Sequence, residues 1–594
     1  MDTDKKIAAI RKKMADESIE AIVVPSGDPH QSEYVTAHWQ TRQWLTGFTG
    51  SAGTAVITKN RAILWTDFRY WIQAKDQING SAFELFKQGE SNVPNFDKWL
   101  WENFTKGDTI AMDGNVVSAG DIKKYQVLFK EKEIKLDTDT GLISELIAEL
   151  WTDRPSMPAS KAWIFSETYA GRSRIEKLEQ IRRSMEEAGA DNHLITTLDD
   201  IAWTFNLRGD DVHTNPVNIA FALIKKDSAI LFINPDKVDG DLAVQLQKDS
   251  IDLLPYDRVS EILTDLGEGA GIYLDPDTVS YNLYQAVGNK TRIIEKINPS
   301  TKFKAVKNEI EIGHMRNTAV KDGIAMVNFL FWIENTDIQV SEVSAAQKLY
   351  ELRKEQKDFV TISFDPIMAF QEHSAMCHYG ATSQTDRVLQ KTGMFLSDSG
   401  GNYLTGTTDI TRTINLGTPS NQEIRDYTLV LKGHIAVATA LFPKGTKGFQ
   451  IDTLARQFLW KEGMDFGHGT GHGVGFFLCV HEGPAKISPH PVDVELKKGM
   501  LLTDEPGIYR ENSYGIRLEN MILVDEAHKT EFGVFMKFEN MTLCHFEKAL
   551  MDKDLLTSQE IGWINEYHQK VYEKLSPKLG PKEKTWLKEK TDLL

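Results

Sequence analysis

Cysteine is nearly absent: Cys377, Cys479 and Cys544 are the only three in 594 residues, and no two stand in a CxxC spacing. So sparse and odd a set builds neither a disulfide framework nor a thiolate metal site, and a reducing compartment is expected. Long apolar runs are missing as well. The greasiest stretch, Gly323 to Ile333, is interrupted by Asn328 and is too short to span a bilayer. The N-terminal stretch MDTDKKIAAIRKKMADESIE is charged throughout and has no apolar signal core, which predicts a cytoplasmic protein with no membrane role. Basic blocks are lacking too. Lys and Arg number 68 against 85 Asp and Glu, a formal charge of −17, and no basic run is long enough to hold a phosphate backbone. Nucleic acid is not an expected partner.

What is present suits packed globular protein: 41% hydrophobic and 26% charged residues. At roughly 150 residues per domain the length allows three to five domains. An internal repeat narrows that count. IRKKM at residues 10–14 returns as IRRSM at 181–185, and AVITKNRAILW at 55–65 returns as ALIKKDSAILF at 222–232. In each copy an amphipathic helix leads to an apolar strand and then to a strand–turn–strand pair, which predicts one α/β unit used twice. Pro and Ser cluster at 153–158, and Asn298-Pro299-Ser300-Thr301 forms a second break, so both read as linkers. The expected domains are 1–157, 158–302 and 303–594. The last opens on a helical stripe of Ile312, Met315, Ala319, Met326, Phe329, Leu330 and Ile333, and it closes in a Lys/Glu-rich tail with Trp563 and Trp586. The Gly-rich run Gly47 to Gly53 lacks the Gly-Lys-Ser/Thr ending of a phosphate loop and reads as a tight turn.

Chemistry-bearing residues gather in the final domain. Asp398 ends the strand-like FLSD, and Asp409 stands at the start of DITRTI, which together read as a hairpin with a long loop. As direct cross-strand partners the two would be about 5 Å apart and would need a positive charge between them. His468 and His472 are wrapped in glycines in GHGTGHGVG, with His481 just beyond. The spacing of four imitates a zinc-protease helix, but the glycines disfavour a helix and the HExxH glutamate is absent. Glu505 follows the strand LLTD, and Glu519 lies in GIRLENMIL, where Arg517 is its expected ion-pair partner if the group is merely structural. Asp398, Asp409, His472, Glu505 and Glu519 together make four carboxylates and one imidazole. Four negative charges balance two divalent cations, and oxygen-rich ligation suits Mn²⁺, Zn²⁺ or Co²⁺ better than a thiolate-seeking metal. Such a pair of ions activates water and polarises a carbonyl, which is hydrolase chemistry.

At these residues the sequence resembles a known family. FLSDSGGNYLTGTTDITRT, HGTGHGVGFFLCVHEGP, TDEPGIY and GIRLEN are similar to the metal-site motifs of the pita-bread peptidases, which include methionine aminopeptidases, prolidases and aminopeptidase P. TGFTGSAGTAVIT and WTDFRYWIQA further resemble the long, three-domain cytosolic type of aminopeptidase P. The resemblance implies an α/β (α+β) chain with two creatinase-like N-terminal domains and a pita-bread catalytic domain. It also implies two divalent ions per subunit, most simply Mn²⁺, with Asp398 on one ion, Asp409 and Glu519 bridging, and His472 and Glu505 on the other. A metal-bridging hydroxide would attack the scissile carbonyl while Glu505 manages its proton. His481 would steady the developing oxyanion, His378 and His468 would line the substrate and proline pocket, and Arg517 would lie behind the ligands or touch substrate. The implied substrates are peptides with proline at the second position, and the implied assembly is a homodimer. A prolidase, restricted to dipeptides, and a non-catalytic pita-bread binding module are the alternatives. Cys377, beside His378, shows no electropositive setting and is read as a buried small side chain.

Overall fold

The computed structural model describes residues 2–138 and 140–594. The chain divides into two compact units, Met1–Glu167 with Arg172–Thr301, and Thr168–Gly171 with Lys302–Leu594.

The first unit contains the same sheet twice. Strands Phe83–Lys87, Ala62–Thr66, Thr54–Thr58, Ala21–Pro25, Thr109–Met112 and Lys135–Asp137 lie side by side in that order. Strands Ile251–Leu254, Ala229–Ile233, Ala220–Lys225, Asn192–Ile195, Gly271–Leu274 and Arg292–Glu295 repeat it. The two repeated segments occupy equivalent places. IRKKM lies in helix Thr3–Asp16 with Ile10 and Met14 buried, and IRRSM lies in helix Arg174–Ala188 with Ile181 and Met185 buried. AVITKNRAILW and ALIKKDSAILF each form the antiparallel pair at the heart of their sheet. Both helices start where the sequence supplies a cap: Asp2 accepts from the Lys5 amide, and Ser173 forms a reciprocal box with Glu176. The Gly47 to Gly53 run is a turn. Gly47 ends helix Thr41–Thr46 at φ 76°, a backbone setting that costs glycine nothing, and Arg42 donates to the carbonyl oxygens of Phe48 and Gly50.

Residues 153–158 lie outside helix and strand, whereas Pro299 opens a short helix, Pro299–Lys304, in a stretch that the sequence suggested was a linker. Proline is favoured at a first helical position because its missing N–H has no partner to lose there.

The second unit begins with helix Glu309–Asn335, whose Ile312, Met315, Ala319, Met326, Phe329 and Leu330 are buried as the 3.6-residue stripe requires. A three-stranded antiparallel sheet has Met394–Ser399 between Ile367–Phe370 and Ile410–Asn415. A six-stranded sheet runs in the order Leu441–Pro443, Gly533–Asn540, Asn520–Thr530, Leu501–Asp504, Gly471–Gly473, Glu482–Ile487. The polar tail forms helices Ser558–Leu575 and Pro581–Thr591, and their Ile564, Tyr567, Val571, Leu575, Trp586 and Leu587 join the main core of this unit. Among the described residues no helix is long and apolar enough to cross a membrane.

Candidate metal centre

Asp398 comes from the central strand of the three-stranded sheet and lies opposite Thr411 and Ile367. Asp409 sits two residues before Thr411, just ahead of its strand, so it is the diagonal neighbour of Asp398 rather than its direct partner. The intervening residues are not a plain loop: Gly401–Tyr403 and Gly406–Thr407 pair with each other, and the first of them also pairs with Phe359–Ile362. His472 is the middle residue of a strand, Gly471–Gly473, and no helix carries His468 and His472. Glu505 follows Leu501–Asp504 directly, and Glu519 stands in the two-residue junction between Tyr514–Arg517 and Asn520–Thr530.

These five groups converge. Ligating atoms of Asp409, His472 and Glu519 all lie within 4.8 Å of one another. The His472 Nε2 is 3.4 Å from Asp409 Oδ2 and 3.7 Å from Glu505 Oε1. Its Nδ1 is 2.9 Å from the Gly473 carbonyl oxygen, to which it donates, and this turns Nε2 toward the carboxylates. The ring of His481 meets that of His472 edge-on, centroids 4.3 Å apart.

Only one permanent positive charge among the described residues pairs with this group. Arg517, which is buried, donates to Asp398 Oδ2, to the Tyr509 hydroxyl at 2.8 Å and to Thr411 Oγ1 at 3.3 Å. Glu519 instead accepts from the Thr411 hydroxyl at 2.7 Å. The expected Arg517–Glu519 pair is therefore replaced by Arg517–Asp398, with Glu519 in the irregular junction 518–519 bonded to Thr411 instead. The imbalance appears in the acidities. Burial, with Asp409 adding repulsion, raises the Asp398 carboxyl despite Arg517. Burial raises Glu505 against the attraction of His472 and Arg517, and burial plus Asp409, Glu505 and Asp398 holds Glu519 well above the usual carboxylate range. Burial alone would lower His472, but Asp409 and Glu505 overcome it and lift the imidazole to about 9.

The donor set fits a pair of divalent cations. Oδ1 of Asp398 is fully buried and has no hydrogen-bond partner, which is costly for a carboxylate unless a cation takes it. Four carboxylates with one arginine and one imidazole leave a surplus of negative charge that hard divalent ions would neutralise.

The remaining residues singled out in the sequence lie around this cluster. His468 is half-buried, with Nδ1 2.8 Å from the Gly469 carbonyl oxygen and Nε2 2.7 Å from the Tyr509 hydroxyl. Tyr509 thus links His468 to Arg517, a connection the sequence reading missed although GIY lay inside the quoted motif. Thr411 was missed too, since a threonine in a strand gives no distinguishing signal. His378 is half-buried in the turn after the short helix Gln371–Ala375, next to the buried Cys377, whose thiol interacts electrostatically with Arg517 and Tyr509. The surrounding segment is held by Glu342, a fully buried residue. Its carboxylate accepts from the Phe370 amide at 2.8 Å, the Tyr379 hydroxyl at 2.8 Å and the Arg387 amide at 3.2 Å, and pairs with His373 Nδ1 at 2.8 Å.

Comparison with known proteins gives this geometry a context. Residues 313–526 match metallopeptidase family M24 and 534–594 the C-terminal region of that peptidase, while 6–146 and 153–311 each match a creatinase/prolidase N-terminal domain. The chain is 38% identical to a probable Xaa-Pro aminopeptidase P of Paracoccidioides lutzii, with 100% of this chain and 99% of that one covered. It belongs to metallopeptidase family M24. Among solved structures, this M24 chain is similar to the X-prolyl aminopeptidase of Caenorhabditis elegans, a cytosolic enzyme with a di-nuclear active site. That likeness has a TM-score of 0.95 at 33% identity and covers 100% of both chains. A Xaa-Pro dipeptidase of Bacillus anthracis is similar over 63% of this chain and 99% of its own, at 26% identity and a TM-score of 0.50.

Proposed function

We propose that this protein is a Xaa-Pro aminopeptidase, hydrolysing the bond between an N-terminal residue and a following proline. The observation that carries this reading is the full-length likeness to an X-prolyl aminopeptidase with a di-nuclear active site. The dipeptidase, by contrast, matches 63% of the chain and has no counterpart for the rest, which favours the aminopeptidase over a prolidase. A binding module without catalysis would have no need to keep four carboxylates and a histidine together at the cost of their mutual repulsion.

In this reading Asp398, Asp409, His472, Glu505 and Glu519 would together hold two divalent ions, with Asp398 serving one, His472 and Glu505 the other, and Asp409 and Glu519 available to both. Manganese is the proposed metal, with zinc and cobalt as the alternatives. Bound there, the two ions would supply Lewis acidity toward the scissile carbonyl and a water acidic enough to act as nucleophile near neutral pH. The chain's own groups do the rest. Glu505, half-buried and 3.7 Å from His472 Nε2, takes a proton and returns it to the departing proline nitrogen. That nitrogen has no N–H in the substrate, so recognition cannot use the amide hydrogen bond that ordinary peptidases exploit. His481 contacts the reacting amide, and His378 and His468 line the substrate and proline pocket, the ring of His468 fixed by Tyr509. Arg517 holds Asp398 and steadies Tyr509. We further propose segments 1–157 and 158–302 as the two N-terminal domains, 303–594 as the catalytic domain, a homodimer as the assembly, and the cytoplasm as the location.

The test strips the protein with a chelator, restores Mn²⁺, and offers an Arg-Pro-Pro tripeptide beside Ala-Pro, Gly-Pro and Met-Ala-Ser. Metal-dependent release of arginine from the tripeptide alone is expected. Cleavage restricted to the dipeptides would replace this reading with a prolidase.

A further inference from the structure

A buried ion cluster lies next to His481 and takes no part in the reaction outlined above. Glu482, at 3% exposure, accepts from Lys304 Nζ at 3.0 Å through one carboxylate oxygen and from Lys307 Nζ through the other. Both ammonium groups are buried, at 2% and 1% side-chain exposure. Burying three charges for a net of one positive is a poor way to gain stability, since apolar side chains of the same volume serve as well or better. What an ion cluster of this kind fixes is geometry.

The geometry it fixes belongs to the reaction. Glu482 is the first residue of strand Glu482–Ile487, directly after His481, and its backbone pairs with Gly473, directly after His472. That approach is close enough that a Cβ on Gly473 would meet the Glu482 carbonyl oxygen at 2.2 Å, so only glycine fits. Each histidine is thus the chain neighbour of one member of a tightly apposed backbone pair, and their rings meet edge-on at 4.3 Å. The two lysines are anchored in their turn. Lys307 donates its amide to the Gly499 carbonyl oxygen at 2.8 Å and its ammonium to the Lys304 carbonyl oxygen at 3.0 Å, and Val306 bridges to Met500, which leads into the strand before Glu505. One segment, 304–307, therefore ties the turn bearing His481 to the strand that delivers Glu505.

We propose that Glu482, clamped between Lys304 and Lys307, is a positioning residue that holds His481 in register with the metal ligands. The proposal rests on the reading above that His481 contacts the scissile amide. Through His481 alone, loss of the clamp would slow the chemical step and leave ground-state binding and metal affinity in place.

The experiment is a double-substitution cycle on the Mn²⁺-loaded full chain with the Arg-Pro-Pro tripeptide, using Glu482→Gln, His481→Ala and both together. Glu482→Gln is expected to lower kcat roughly 10- to 100-fold, the usual range for a supporting residue behind an active group, with KM shifted less than about threefold and metal content unchanged. In the His481→Ala background the same change is expected to cost less than about twofold, because the group it acts through is gone. Should Glu482→Gln fail to fold, Lys307→Met leaves a balanced Lys304–Glu482 pair and is expected to show the same non-additivity at smaller size. Full activity of Glu482→Gln or Lys307→Met beside an impaired His481→Ala overturns the clamp and leaves the His481 reading standing. Equal losses with and without His481, or loss of metal on changing Glu482, overturn it as well. Full activity of His481→Ala instead removes the reading on which the clamp rests.

Discussion

Two buried carboxylate sites, one in each unit of this chain, are treated in opposite ways. In the first unit Asp211 is surrounded by donors: the Ser160 amide at 3.0 Å, the Ser160 hydroxyl at 2.7 Å, the Ile219 amide at 2.7 Å and the buried ammonium of Lys237. Its neighbours come from distant parts of the sequence, and the ion pair closes that corner of the fold. In the second unit Asp398, Asp409, Glu505 and Glu519 crowd around one imidazole and one arginine, and an oxygen of Asp398 is left with no donor. A scaffold matches each buried charge as the chain folds. A site for cations keeps charges unmatched, so part of its neutralisation has to arrive from solution.

Substitution of the carboxylates tests this contrast most sharply. Asp409→Asn or Glu519→Gln should abolish tripeptide turnover, by about a thousandfold or more, together with metal retention, as loss of a first-rank metal ligand does. In the chelated protein Glu519→Gln should unfold no more easily than the parent, because it removes a repelled charge. Asp211→Asn should do the reverse: metal content and kcat preserved, but a stability loss of about 3–5 kcal/mol from stranding Lys237. Metal analysis and denaturant unfolding on the same three proteins decide it. A metal-replete, active Glu519→Gln would break the distinction at the site, and an unaffected Asp211→Asn would break it in the scaffold.

The α/β architecture was legible because its signals are local and repeated: the twin helix and hairpin segments at 10–14 and 181–185, and at 55–65 and 222–232, pack as the same sheet order twice. The site residues stood out for a different reason, since acidic groups and glycine-flanked histidines on apolar strands conflict with their surroundings. Partner identities were not legible. Whether Arg517 meets Glu519 or Asp398 depends on an irregular two-residue junction at 518–519 and on a strand register set by distant packing, and neither leaves a mark in the local pattern. Thr411 and Tyr509 are ordinary strand residues by type and acquire meaning only once the strands assemble. The break at 298–301 falls where the two compact units divide, but the short helix that Pro299 opens there was not legible, because proline starts helices as readily as it ends them.

Acid titration extends the comparison to histidines. His193, fully buried in the first unit, is lowered to about 4 by burial, with only the Tyr273 carbonyl oxygen at 3.0 Å opposing. Its neutral form is the one that folds, so its contribution is fully present above the ordinary histidine pKa of about 6.5 and is lost as pH falls toward 4. The shift corresponds to about 3 kcal/mol of acid destabilisation. His193→Phe should flatten the stability profile between those limits in denaturant titrations run at several pH values. An unchanged slope would mean that other groups drive acid unfolding of the first unit.

The smallest expected effect concerns Thr411, which has no charge and lies between the two behaviours. Its hydroxyl donates to Glu519 Oε2 at 2.7 Å and accepts from Arg517 Nε at 3.3 Å, so it relays the one arginine to a carboxylate the arginine does not itself pair with. Thr411→Val keeps the shape and removes the relay. If the site is held together mainly by its cations, that loss should lower metal affinity or kcat about 10-fold, at the mild end of what supporting residues cost, and leave thermal stability of the loaded protein nearly unchanged. If the hydrogen bonds themselves hold the carboxylates, the chelated protein should lose about 1–2 kcal/mol on the same change, with little loss of metal affinity. Parallel unfolding curves with and without Mn²⁺ separate the two, because the first outcome shows itself only when the ions are bound.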